Sequence, residues 1–149
     1  MHPVLVTVNP AGFGQLLEIA TATLQDLNPE TYARLKPHLK EQKWSPGQNI
    51  IQHGEHSENV YFMISGTADV VSEFGEVCAQ IKANEWFGEV APFEGVARTA
   101  SIRAKDPCVT YMIAKEQLKS VLVETPLLEQ IDRMSKERMQ LYLERSIVA

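Results

Sequence analysis

Phe87-Gly88-Glu89-Val90-Ala91-Pro92-Phe93-Glu94-Gly95-Val96-Ala97-Arg98-Thr99-Ala100 sets a glycine, a carboxylate, a short apolar turn and an arginine at fixed spacing. Gly88 lets a ligand come close to the backbone, and the Val90-Ala91-Pro92-Phe93 turn can point N–H groups at an anion. An ionised Glu89 only accepts hydrogen bonds and suits hydroxyl donors, while Arg98 offers a planar fork of donors to a phosphate. The stretch therefore reads as one compact receptor for an anion and a sugar.

The chain around it has 149 residues, 44% hydrophobic and 22% charged, enough for one domain with a sizeable core. Its net charge is −5 and it has no Lys/Arg-rich run, so direct nucleic-acid binding is not expected. Cys78 and Cys108 lie in apolar or β-branched surroundings and read as small buried thiols. No stretch approaches the ~18 consecutive apolar residues of a membrane span, and the start, Met1 to Val8, lacks the features of a secretory signal. A cytoplasmic location is the expectation.

Pro3, Pro10, Gly12 and Gly14 break any periodicity, so residues 1–15 are expected to be irregular. Apolar spacing predicts a short helix over 16–24, and Asn28-Pro29 opens a second one to about Leu39. From 42 to 113 the pattern is of short β-branched and aromatic segments divided by turn residues. Strands are predicted at Gln42 to Trp44, Asn49 to Gln52, Asn59 to Ser65, Thr67 to Ser72, Val77 to Ile81, Ala100 to Ala104 and Val109 to Ile113, which argues for a β-roll or sandwich. Helical patterns return at Lys115 to Glu124 and, behind a Thr125-Pro126 start, to about Ser146. In the last helix Ile131, Met134, Leu141 and Val148 form a seam interrupted by Arg138 and Arg145, which could dock on the roll or pair with a second copy.

The run from Phe87 resembles the phosphate-binding cassette of cyclic nucleotide-binding domains: Phe-Gly-Glu, one residue, a small residue, two apolar residues, four variable ones, then Arg-Ser/Thr-Ala. Ser45 to Glu55, followed by Val60-Tyr61-Phe62-Met63-Ile64-Ser65-Gly66, is similar to the glycine-punctuated first half of that family's β-roll. The resemblance covers about residues 24 to 146. It implies a mainly β fold, a double-stranded β-helix of jelly-roll type with N-terminal helices (16–40), a roll (42–113) and C-terminal helices (115–146), the last one long. Residues 16–149 would form the cyclic nucleotide-binding domain.

By the same resemblance Arg98 takes the phosphate and Glu89 the ribose 2′-hydroxyl, with Gly88 and the N–H groups of Val90 and Ala91 beside the phosphate oxygens. Read from the residues alone, Arg98 could be a surface arginine in a turn and Glu89 a helix-terminal carboxylate. Pro92-Phe93 replaces the aliphatic pair common in the family, which reshapes the turn. Thr99 can reach the phosphate or a base edge, and in the family this position is associated with a syn purine and in some members with guanine. Val70, Ala79 and Ile81 correspond to base-lining positions and equally suit plain strand core. Met139, Tyr142 and Leu143 are candidates for a lid over the base, with core or dimer roles equally open.

His53 and His56 lack the further ligands of a metal site, and no nucleophile elbow or cluster-binding set of cysteines is present. The expected function is a regulatory sensor, not an enzyme, that needs no cofactor. Its expected ligand is cAMP, cGMP being left open by Thr99, and it would signal through the C-terminal helix to an attached or associated effector, with a homodimer through that helix also open. The rivals are a scaffold domain with a degenerate pocket, the sensor part of a cAMP-receptor-type regulator whose helix-turn-helix would lie past Ala149, and a switch for a catalytic or channel domain.

Overall fold

The computed structural model describes residues 27–148. The irregular segment expected over 1–15 and the helix expected over 16–24 lie outside them. Helix α1 (Pro29–Leu35) begins where the sequence predicts, with Thr31 N–H donating to Asn28 Oδ1 at 2.8 Å and Pro29 in the first turn. It ends before Leu39, giving way to a 3-10 turn at Lys36–His38, because Pro37 has no N–H for the helical ladder.

The strands are β1 (Lys40–Trp44), β2 (Asn49–Ile51), β3 (Asn59–Ser65), β4 (Ala68–Val71), β5 (Val77–Ile81), β6 (Trp86–Phe87), β7 (Ser101–Ala104) and β8 (Cys108–Ala114). Helix α2 (Val90–Glu94) interrupts them, and α3 (Lys115–Leu122) and α4 (Pro126–Val148) follow. The strands form two four-stranded antiparallel sheets, ordered β1-β8-β3-β6 and β2-β7-β4-β5. The architecture is the jelly-roll-like β-roll with flanking helices that the sequence implies. β6 is the strand that sequence reading misses, because two residues carry no periodicity. It matters nonetheless, since its pairing sets Phe87 opposite Tyr61 and Trp86 opposite Phe62, fixing where the Phe87 to Ala100 stretch begins.

β3 shows how the layers are held. Val60, Tyr61, Phe62 and Met63 are all buried although successive side chains of a strand point to opposite faces. Tyr61 and Met63 enter the core between the sheets, with Ile51, Val70, Ile81 and Phe87. Val60 and Phe62 join a second core on the helical side, with Trp86, Leu118, Ile131 and Met134. A strand covered on both faces reads as a continuous apolar run, as this one does.

The first part of the α4 seam therefore docks on the roll. Thr125 starts that helix with its hydroxyl, which accepts from Leu128 N–H at 3.4 Å and donates to Leu122 O at 2.6 Å. Among the described residues no helix is long and apolar enough to cross a membrane.

Gly66 makes the turn from β3 to β4 at φ +94°, and a Cβ there would sit 2.9 Å from Cys108 Cα and also against Pro107 O, both of them backbone. Gly75, in the β4–β5 turn at φ +85°, has open space around it. Gly66→Ala should cost about 3 kcal/mol or more, combining left-handed strain with a backbone clash. Gly75→Ala should cost about 1 kcal/mol. Urea titration of the two variants measures the difference.

Candidate functional site

β6 delivers Phe87 to the roll's interior, where its ring stacks on Tyr61 with centroids 5.4 Å apart. Gly88 follows at φ +75°, and a Cβ on it would lie 2.7 Å from Ile51 Cδ1 and 3.2 Å from Arg98 Nη1. The missing side chain is thus the room in which the Arg98 guanidinium sits. Glu89 occupies the N-cap position of α2 without capping it. Val90–Phe93, expected as a turn, is most of this one-turn helix. Its first N–H groups, those of Val90 and Ala91, have no intrahelical acceptor, and Pro92 occupies a first-turn position where a missing N–H costs little. Phe93 is half-buried and packs on the helical-side core.

Arg98 is 5% exposed, so it is not a surface arginine. Nη1 donates to Gly88 O at 2.6 Å and Nη2 to Asn59 O at 2.9 Å, and the guanidinium carbon lies 5.9 Å from the centre of the Tyr61 ring. Burial pushes its pKa below the usual arginine value, opposed by Tyr61, Glu89 and Glu55. Its side-chain hydrogen bonds go to neutral carbonyls, which leaves the positive charge only partly compensated.

Glu89 is fully buried, and both its oxygens accept from Arg138 Nη1, at 2.9 and 3.1 Å. Arg138, on α4, is 8% exposed, and its Nε and Nη2 are buried with no hydrogen-bond partner among the described residues. Sequence reading missed this residue. The signal was there as a charge in an apolar seam, which needs a buried counter-charge, but spacing alone does not say which.

These groups border one cavity of about 520 Å³. All the expected site residues line it except two. Gly88, Glu89, Val90 and Ala91 form one wall with Arg98 and Thr99, while Val70, Ala79 and Ile81 supply apolar strand surface. Val70, Ala79 and Ile81 also belong to the core between the sheets, so core and wall are not alternatives. From α4 come Arg138, Leu141 and Tyr142. Met139 and Leu143 do not border the cavity, and Leu143 is exposed. At 100° per residue, 138, 141 and 142 share one helix face while 139 and 143 turn away. Leu141, Ile51, Ile102 and the exposed Phe74 of the β4–β5 turn are wall residues that sequence reading did not name. Cys108 is buried with its thiol bonded to Thr67 O, whereas Cys78 is half-buried at the cavity wall.

Residues 41–125, more than half the chain, match the cyclic nucleotide-binding domain. The chain belongs to that family. It is 28% identical over 116 residues to an NTE family protein of Mycobacterium tuberculosis, covering 78% of this chain and 20% of that one. It is 27% identical over 99 residues to the cAMP-dependent protein kinase regulatory subunit of Debaryomyces hansenii, covering 66% and 22%. The chain thus spans about a fifth of the length of these relatives. Among solved structures, one described as the second cyclic nucleotide-binding domain of a protein kinase A regulatory subunit bound to Sp-2Cl-cAMPS superposes with TM-score 0.70. It is 22% identical and covers 95% of this chain and 91% of that one. This is a regulatory ligand-binding domain and not a catalytic family.

Breaking the buried pair from one side leaves an uncompensated buried charge. Arg138→Met should cost about 3–5 kcal/mol, and adding Glu89→Gln to it should restore part of that loss. Denaturant titration of both single variants and the double variant gives the coupling.

Proposed function

We propose that this chain is a sensor module that captures a purine 3′,5′-cyclic nucleotide in the 520 Å³ cavity and passes occupancy to an effector through α4. The observation that carries the reading is the pairing of opposite chemistries in one cavity wall: Arg98, buried against carbonyls, and Glu89, buried and ionically paired. A cyclic phosphodiester brings the single negative charge that Arg98 lacks, and its two exposed oxygens suit the guanidinium and the N–H groups of Val90 and Ala91. Glu89 has acceptor capacity beyond its two bonds from Arg138, which a ribose 2′-hydroxyl would use. The base would then lie along Val70, Ala79 and Ile81, with Tyr142 over it and Thr99 at the phosphate or the base edge.

Two relatives carry cAMP in their descriptions, one as a cAMP-dependent kinase subunit and one as a complex with a cAMP analogue, which makes cAMP the first ligand to test. Thr99 at the cavity wall favours a second reading in which cGMP is also taken. Transmission would run through Arg138, because a ligand that engages Glu89 acts on the ion partner of α4. The ligand must prefer one placement of α4 over another, since equal affinity would shift nothing. The effector would be a domain or protein beyond α4, and a homodimer through α4 would have to use residues other than Ile131, Met134 and Leu141, which face the roll and the cavity.

Titration calorimetry with cAMP and cGMP tests the reading. Arg98→Ala should weaken binding by roughly one to two decades, from loss of a charged hydrogen bond of about 1.5–3 kcal/mol. No heat from either ligand would instead point to a scaffold domain with a degenerate pocket. Ligand should slow amide exchange in the second half of α4, and unchanged protection there would count against transmission through it.

A further inference from the structure

α2 has five residues, too few to be held by its own ladder. At its C-terminal end Gly95 N–H and Val96 N–H both donate to Ala91 O, at 2.9 and 3.1 Å, under a left-handed Gly95. The next carbonyl, Pro92 O, accepts from Lys115 Nζ at 3.1 Å. Lys115 is the first residue of α3, and its backbone N–H donates to Glu58 O at 2.8 Å while its ammonium lies 3.7 Å from the Glu58 carboxylate. Glu58 adjoins Asn59, whose carbonyl accepts from Arg98 Nη2 at 2.9 Å. Lys115 is not part of the wall of the 520 Å³ cavity.

We propose that Lys115 is a positioning residue for the ligand site. Its ammonium caps the C-terminal end of α2, where a cation is favoured by the helix dipole, and its backbone pins the loop that supports Arg98. One residue thereby ties the two halves of the anion receptor together, its side chain holding α2 and its backbone holding the loop beside the Arg98 guanidinium. It also connects the site to the helical layer through α3, distinct from the Glu89–Arg138 pair and from the bond that Ser135 Oγ donates to Glu94 Oε2 at 2.9 Å, both of which run to α4.

Two measurements on the full chain test this. The first is ligand-free hydrogen exchange of wild type, Lys115→Met and Lys115→Arg, with Lys119→Met, at an exposed position of the same helix, as control. Lys115→Met should speed exchange of Phe93, Gly95 and Val96 about tenfold, Lys115→Arg should largely restore it, and Lys119→Met should leave it unchanged. The same rate in Lys115→Met as in wild type, or a uniform acceleration over the whole roll, would overturn the proposal. The second is calorimetric titration with cAMP, which rests on the ligand reading above. Lys115→Met should lose about tenfold in affinity, and Lys115→Arg much less. Equal loss in both variants would also overturn it. If wild type binds neither cAMP nor cGMP, the ligand reading fails, and the exchange arm still decides the role of Lys115.

Discussion

The buried pair between Glu89 and Arg138 is the constraint on which the arrangement of this molecule depends. Glu89 is fully buried at the start of α2, and burying a charge is costly unless it is paired with a counter-charge and hydrogen-bonded. That counter-charge comes from α4, forty-nine residues later in the chain. The same two hydrogen bonds therefore tie the middle of the long helix to a charged group in the cavity wall. The pair is incompletely satisfied, since Arg138 Nε and Nη2 are buried without partners. A half-satisfied buried pair stabilises less than an apolar contact of the same volume would. In the proposed mechanism this matters, because a ligand that competes for Glu89 would act on α4.

Arg98 poses the complementary problem and the fold solves it differently. Its charge is accepted by the carbonyls of Gly88 and Asn59 and by the face of Tyr61, and burial pushes its pKa down. Had a carboxylate been placed within ion-pair distance, a phosphate would have had to displace it. Carbonyl oxygens hold the guanidinium in place but do not neutralise its charge, which is what the proposed phosphate contact requires. Placement depends on the two-residue β6, because pairing Phe87 with Tyr61 sets the register of everything from Gly88 onward.

Much of this was legible in the sequence for identifiable reasons. The strands announce themselves by β-branched runs between turn glycines, and the Gly88, Glu89, Arg98 spacing is local enough for one loop to bring those residues together. What stayed hidden depends on long-range geometry. Arg138 looked like a flaw in an apolar seam until its partner was known, and Lys115 reads as an ordinary helix-start residue until Pro92 O lies beside it. Met139, Tyr142 and Leu143 were equivalent candidates in sequence. The rotation of α4 separates them, and that rotation is fixed by Ile131 and Met134 packing on Trp86 and its neighbours.

α4 is thus a helix with two different bases of support. Its first half is anchored by dry apolar burial at Ile131 and Met134, where moving would open a cavity in a close-packed core. From Arg138 onward the inner face meets the ligand cavity, so Leu141 and Tyr142 have void on one side and no comparable packing to lose. A ligand that fills the void supplies contacts to the second half only. Any change in α4 on occupancy should therefore pivot near Met134 and Arg138, with the Glu89–Arg138 pair at the pivot and the far end of the helix moving most. The two halves are thus held differently: the apolar part packs into the core, and the part from Arg138 onward lacks that packing.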